Sequence, residues 1–427
     1  MNPVRNSKPK HFHNNIKLRE KQREISNGVK INTDPKKVEE ALTQKVVQIL
    51  PSKSKLKRLM QTRRIRLYLG IDPTGTNLHL GHTITLRKLQ EFAGLGHEAI
   101  LVVGSGTVLA GGDPLARDRA RPLITEKEIK NNIATWKKQA RKILDFSKVK
   151  IKYNGDWLLK LGLKKIIQIA SHISAIKLFQ RDMFKERVKK GGTVWAHETL
   201  YPLLQGYDSV ALDVDLEIGG TDQLFNMLIG RELQQKMRNK EKSVLTVPLV
   251  LGTDGKPMSK TSGNCVWLAD STNQMFGKLM SIPDNLIISY FELLTNLPPE
   301  LIQQYKRALQ LKKTNPAVLK RQLAFEIVKM YHSGKEAKKA EEEFNRIFKE
   351  KKLPSEIPEI QIKEKALNIL ELLMKAKLVL SKAEAKRLIL QKGVKIDGEI
   401  QEDWQETVKI KKGQVIRVGK RKFVRLV

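Results

Sequence analysis

The sequence predicts an α/β protein: a Rossmann-like parallel sheet, then an α-helical region, then a small α+β module. Three observations carry this expectation. Between residues 64 and 265, short β-rich runs alternate with segments of helical period, the pattern of a parallel sheet covered by helices on both faces. From 266 to 352 the strand signal stops and helical segments follow one another, ending in the highly charged "GKEAKKAEEEFNRIFKEKK". After "LPSEIPEI", whose two prolines mark a linker over 353–364, residues 365–427 hold a helix followed by strand signals. A length of 427 residues fits roughly three domains.

Residues 1–35 are polar and basic and read as a flexible extension. The stretch is acid-poor up to Arg19, as an organellar presequence is, but Pro3 and Pro9 break the amphipathic helix such a leader needs. His11 and His13 in this arm read as solvated side chains rather than metal ligands. The α/β region, 36–265, contains the strand signals "IRLYLGID", "HEAILVVGSG", "KVKIKYNG" and "LDVDLEIGG". Between them, "TITLRKLQEFAGLG", "EKEIKNNIATWKKQARKIL" and "FNMLIGRELQQKMR" have helical period. In the last module Ser381 and Glu384 form a capping box at the start of "KAEAKRLILQKG", and Asp397-Gly398 marks a hairpin turn.

Composition narrows the function. A net charge of +35 exceeds anything folding requires and costs self-repulsion, so it points to a polyanionic partner, nucleic acid first and an anionic membrane surface second. No stretch approaches the ~18 uninterrupted apolar residues of a spanning helix, and no signal-peptide core stands near the start. The single Cys265 excludes an internal disulfide and a cysteine-cluster zinc site, and suggests a reducing, cytoplasmic setting. No protein-bound metal is expected.

Two short stretches carry chemistry. "GIDPTGTNLHLGH", residues 70–82, closes a strand, turns tightly and opens a helix with His79 and His82 on its first turn. In an open α/β sheet, ligands bind beyond the carboxyl ends of the strands, where helix N-termini offer free N–H groups to phosphate. Histidines there add donors, and Gly81 clears space for a flat ring, so the stretch suggests a nucleoside triphosphate site. The plainer reading is that the two histidines cap the helix or pack against it. Downstream, "DGKPMSKTSGN", residues 254–264, is a glycine-flanked loop with Lys256 and Lys260, able to close over a departing pyrophosphate.

Together, His79-Leu80-Gly81-His82 and Pro257-Met258-Ser259-Lys260-Thr261 resemble the two signatures of class I aminoacyl-tRNA synthetases, written in the family as "HIGH" and "KMSKS". The usual first lysine of the second signature is Pro257 here, with Lys256 one place earlier. Between the signatures, "YPLLQGYD" puts Tyr201, Gln205 and Asp208 on one helix face, and "GGTDQLFN" supplies Asp222 and Gln223. With "LYLGIDPT" and "GGDP" (111–114) these resemble the tyrosyl-tRNA synthetases of bacterial type, strongly from 64 to 265 and more weakly to the end.

The resemblance implies an ATP-dependent ligase that activates L-tyrosine as the adenylate and transfers it to the 3′ end of tRNA(Tyr), with Mg²⁺ accompanying ATP. It implies that Tyr68 and Asp208 bond the phenolic hydroxyl of tyrosine. Phenylalanine would leave those buried groups unpaired, at a cost of about 1–3 kcal/mol each. Tyr201, Gln205 and Gln223 would hold the ammonium and carboxylate end, helped by Asp113 and Asn154. Thr74, His79, His82 and Lys260 would act on the triphosphate. Gly70, Asp72, Gly81, Asp222 and Met258 would complete the ATP seat. The resemblance further implies a homodimer joined through a connective insertion at about 114–200, and a helical region that meets the anticodon stem. Residues 365–427 resemble the alpha-L RNA-binding motif, with Lys382, Lys386, Arg387, Lys392 and Lys395 facing tRNA phosphates. The rivals are the tryptophan enzyme of the same class and a non-catalytic RNA-binding paralogue.

Overall fold

The computed structural model describes residues 30–110, 125–258, 262–350, 352–355, 357–419 and 422–427. Contacts divide the chain into two units, one of the described residues up to Asp270 with Ile282–Pro316, the other of Ser271–Ser281 with Ala317–Val427.

The first unit is built on a six-stranded sheet. Its strands are β1 (Gln48–Leu50), β2 (Arg66–Ile71), β3 (Glu98–Val103), β4 (Val149–Tyr153), β5 (Leu216–Gly220) and β6 (Ser243–Val247), in the order β1-β6-β5-β2-β3-β4. Strands β2 to β6 are parallel, and β1 runs antiparallel along the edge. The interior strands are nearly continuous apolar runs because helices cover both faces. Neither β1 nor β6 was expected from the sequence. The first is three residues long, and "SVLTV" (243–247) is buried without the alternation that announces a strand.

Four helices matter to the site: α1 (Leu80–Gly94), α2 (Glu126–Ala140), α3 (Ala196–Leu212) and α4 (Leu224–Arg238). Helix α1 buries Leu80, Ile84, Leu86, Leu89 and Phe92, each contributing about 1.5–3 kcal/mol of apolar burial. It stops before Gly96, whose φ of +88° and whose approach to Lys30 O leave no room for a Cβ. Helices α3 and α4 cross at Gly206 and Gly230, where a Cβ on the first would stand 3.1 Å from the second's backbone nitrogen. Because β4 pairs with β3, the stretch read as a connective insertion contains a sheet strand. The irregular part that follows is a chain of short helices from Gly155 to Lys189.

Order reverses between β5 and β2, since β3 and β4 continue to one side and β6 to the other. The chain leaving β2 enters the histidine turn, and the chain leaving β5 enters Thr221–Gln223. Both emerge at the switch point where such sheets bind ligands.

The second unit contains the helices Thr272–Met280 and Gly334–Phe348, joined by an aromatic contact of Phe276 with Phe344, centroids 5.6 Å apart. Helices Ile287–Leu294 and Pro299–Gln310, from the same helical stretch, belong to the first unit. The C-terminal module has its own core of Ile369, Leu372, Leu373, Ile389, Val394, Ile416, Val424 and Leu426. Its five-stranded sheet takes one edge from Glu359–Ile360, inside the stretch read as a linker. Asp397 and Gly398, both at positive φ, make the two-residue turn between Val394–Ile396 and Glu399–Ile400. Glu384 N–H bonds Ser381 Oγ at 3.1 Å, completing half of the anticipated cap, while the Glu384 carboxylate accepts Leu380 N–H at 2.8 Å. Among the described residues no helix is long and apolar enough to cross a membrane.

Candidate active site

The turn from Asp72 to His79 is held by buried polar side chains of α2. Asn132 Nδ2 donates to Pro73 O at 2.8 Å, Gln139 Oε1 accepts Leu78 N–H at 2.9 Å, and Gln139 Nε2 donates to Thr76 O at 3.0 Å. Thr74 N–H bonds back to Asp72 O. His79 is the N-cap residue of α1. Its ring and that of His82 lie 3.8 Å apart between centroids, and His82 Nδ1 accepts the His79 backbone N–H at 3.1 Å. The capping reading of this pair is therefore part of the structure. A Cβ at Gly81 would stand 2.9 Å from His79 Cε1 and Nδ1 and 3.9 Å from Met258 Sδ. In this structure the ring packed over that glycine is His79's.

Met258 belongs to the second signature, so the two signatures meet. The backbone seals this contact. Leu80 N–H bonds Val266 O at 2.9 Å and Leu268 N–H bonds Leu78 O at 2.8 Å, around a bridge between His79 and Trp267. Ahead of that bridge the described part of the loop, up to Met258, turns tightly. Asp254 accepts Lys256 N–H, and Asn264 Nδ2 donates to Asp254 and to Pro257 O. Lys260, Thr261 and Asp113 lie outside the described residues.

On the far side of Asp72 a polar chain runs inward. Asp72 accepts Thr107 Oγ1 at 2.7 Å and the Tyr201 hydroxyl at 2.8 Å. Thr107 Oγ1 accepts Asn154 Nδ2 at 3.2 Å, and the same amide donates to Asp208 Oδ2 at 3.1 Å. Asp208 Oδ1 accepts Trp157 Nε1 at 2.8 Å. Asp208 is buried, and burial pushes its carboxyl up to about 8, against the opposing pull of the Asn154 and Trp157 donors and with help from the Glu217 and Asp72 charges. Asn154 Oδ1 also accepts Gly106 N–H. The Tyr68 hydroxyl lies 2.9 Å from Ser209 Oγ, wholly buried, and burial raises its ionisation well above the ordinary phenol range.

Gln205 Nε2 donates to Glu217 Oε1 at 3.3 Å, while its Oε1 is buried and makes no hydrogen bond among the described residues. Asp222 is exposed beside Gly220 and accepts Gln223 Nε2 at 3.0 Å. Gly70 is exposed at the end of β2, and a Cβ there would meet nothing nearer than Tyr68 Cε2 at 3.9 Å. A cleft of about 1160 Å³ beside Asp222, lined by Lys177, Arg181, Lys185, Arg231 and Lys236, contains neither histidine nor Asp208. The site is therefore defined by its chemistry and not by the volume of this cleft.

Sequence reasoning passed over Asn132, Gln139, Trp157, Thr107, Ser209, Glu217 and Lys242. Asn132 and Gln139 could have been found, because they sit seven apart on one face of α2 where apolar residues would serve. The others have no local signal. In the C-terminal module Lys386 Nζ lies 3.7 Å over the Trp404 ring, Lys382 pairs with Glu371 and Lys392 with Glu402, and Arg387 is exposed. No cluster of three or more His, Cys, Asp or Glu able to hold a metal occurs among the described residues.

A parallel sheet with a histidine-bearing turn at its switch point, sealed against a second signature loop, is the architecture of a class I aminoacyl-tRNA synthetase. The pattern of tRNA synthetases class I (W and Y) matches residues 60–349, and that of the tyrosine–tRNA ligase SYY-like C-terminal domain matches 349–426. The tyrosine–tRNA ligase of Thermotoga maritima is 43% identical over 393 residues, 92% of this chain and 98% of its own. That of Aquifex aeolicus is 39% identical, over 89% of this chain and 96% of its own. The tyrosyl-tRNA synthetase of Archaeoglobus fulgidus, solved with L-tyrosine, shares the fold with a TM-score of 0.59 at 20% identity, covering 72% of this chain and 99% of that one. The chain belongs to the tyrosine–tRNA ligase family. Its activity is ATP-dependent formation of tyrosyl-adenylate and transfer of the tyrosyl group to tRNA(Tyr).

Proposed function

We propose that tyrosine binds with its phenol between Tyr68 and Asp208 and its ammonium at Gln205 Oε1 and Tyr201. The observation that carries this is the buried acceptor of Gln205. Its amide nitrogen is held by Glu217, which leaves the oxygen without a partner among the described residues and so as the acceptor we assign to the ammonium. Asn154 acts at one remove. Its amide hydrogens go to Thr107 and Asp208 and its oxygen to Gly106, so it positions Asp208 rather than touching substrate. Gln223 and Asp113 attend the carboxylate and ammonium end.

ATP enters as its Mg²⁺ complex, with Thr74, His79, His82 and Lys260 on the phosphates. Asp222 takes the ribose, and Gly70, Asp72, Gly81 and Met258 shape the seat. The tyrosine carboxylate oxygen attacks the α-phosphorus, the bond to the β-phosphate oxygen breaks, and pyrophosphate leaves. The attacking group is already anionic, so no general base is required. Catalysis is positioning together with donors aimed at the developing charge. In the second step a ribose hydroxyl at the tRNA 3′ end attacks the tyrosyl carbonyl and AMP departs.

Residues 36–265 serve as the catalytic domain, 266–352 meet the anticodon stem, and 365–427 grip tRNA phosphates with Lys382, Lys386, Arg387, Lys392 and Lys395. The enzyme works in the cytoplasm as a homodimer. The apolar surface that supports a dimer lies in the short helices after β4, where Leu159, Leu163, Ile167, Ile176 and Val188 are each more than half exposed. Pyrophosphate exchange with each amino acid tests the whole reading. Exchange with tyrosine alone is expected, exchange with tryptophan instead would overturn it, and exchange with none would favour the RNA-binding paralogue.

A further inference from the structure

Behind the tyrosine pocket lies a buried ion pair that the reaction does not use. Lys242, just ahead of β6, is fully buried, and Glu217 on β5 is 2% exposed. Lys242 Nζ donates to Glu217 Oε2 and, at 2.8 Å, to Ser209 Oγ. Ser209 follows Asp208 on α3, and its oxygen lies 2.9 Å from the Tyr68 hydroxyl. Glu217 is also the register partner of Tyr68 across β2 and β5, and its other oxygen holds Gln205 Nε2 at 3.3 Å. The helix crossing makes the space, for a Cβ at Gly230 would stand 2.8 Å from Lys242 Nζ and 2.9 Å from Ser209 Oγ.

Such a pair is a poor source of stability, since apolar residues of similar volume commonly serve as well or better. What it supplies here is direction. An ammonium only donates, so Lys242 dictates which lone pair of Ser209 remains for Tyr68 and which Glu217 oxygen remains for Gln205. Both dependants are residues assigned above to the substrate.

We propose that the Lys242–Glu217 pair is a positioning device for tyrosine selection, fixing Tyr68 through Ser209 at the phenol end and the Gln205 amide at the ammonium end. The inference rests on the pocket assignment made above. It predicts that residues making no contact with tyrosine set its advantage over phenylalanine.

The test uses the full-length enzyme and two variants, the double replacement Glu217→Gln with Lys242→Met, which leaves no unpaired charge, and Ser209→Ala. Melting temperature, KM for tyrosine, KM for ATP and the tyrosine-to-phenylalanine ratio in pyrophosphate exchange are measured for each. In both variants the ratio is expected to fall on the order of tenfold, and KM for tyrosine to rise by a similar factor, with KM for ATP unchanged. An unchanged ratio in either folded variant overturns the inference, as does a rise of both KM values in step, which would mean general distortion. Should the double variant fail to fold, Ser209→Ala decides alone. Asp208→Asn separates the levels. If it lowers the ratio while these variants do not, the positioning role alone fails; if it too leaves the ratio unchanged, the pocket assignment fails first.

Discussion

His82 Nδ1 accepts the backbone N–H of His79, three residues earlier, at 3.1 Å. One imidazole nitrogen therefore serves the fold of the first helical turn, and in the neutral ring the proton then sits on Nε2 as a donor. On the proposed assignment, capping and phosphate binding are two uses of one side chain, and substitution can part them. His82→Asn keeps an acceptor near the Nδ1 position and loses Nε2; His82→Gln places an amide nearer Nε2 and loses the cap. The expected outcome is a fall of about 10²-fold in kcat for exchange in His82→Asn with little change in melting temperature. His82→Gln should lose about 1 kcal/mol of stability and retain more activity. Equal activity losses in both would contradict the division.

Asp208 is the next test. Asp208→Asn keeps the size of the group but exchanges an acceptor for an amide facing Trp157 and Asn154, both donors. The tyrosine-to-phenylalanine ratio should fall by one to two orders of magnitude, chiefly through tyrosine. Parallel loss for both amino acids would mean that the residue only supports the fold.

The same carboxyl carries a pH signature. Its folded value is about 8 against an ordinary 3.8, raised mainly by burial. Between these values the native state holds a proton the unfolded chain has released, so its contribution to stability is lost as pH rises through that window. The slope is at most about 1.4 kcal/mol per pH unit. Denaturant titrations from pH 5 to 8 should therefore show the wild type losing stability relative to Asp208→Asn. A constant difference across the window would place the carboxyl near its ordinary value.

The C-terminal module has a core of its own, and its sheet begins at Glu359. Removal of 357–427 should leave exchange intact and raise KM for tRNA by at least tenfold at physiological salt. The salt dependence of tRNA affinity should become shallower by about 0.9 per lost phosphate contact to duplex. Unchanged charging would refute the RNA role of Lys386, Arg387 and their neighbours.

The exposed apolar residues after β4 test the proposed dimer. Ile176 is 76% exposed, more than its neighbours Leu163 and Ile167. Ile176→Glu should halve the particle mass in light scattering without lowering the melting temperature of the monomer. An unaltered mass would put the interface elsewhere.

The sequence by itself determined what depends on near neighbours. Alternation of β-rich and helical periods specified the parallel sheet, the Ser381 and Asp397-Gly398 signals specified a cap and a turn, and the order of short motifs specified the chemistry. Each is a pattern over a few residues, where backbone geometry and side-chain spacing are nearly independent of the rest of the chain. Tertiary structure alone decided the pairings over long intervals. It brought Trp157 to Asp208, Ser209 and Lys242 to Tyr68, and Met258 to the glycine between the histidines. It also drew "SVLTV" into the sheet and split the helical stretch between two units. Buried polar groups must find partners wherever the fold places them, and those partners come from distant strands and helices. No local period in the sequence records which ones will meet.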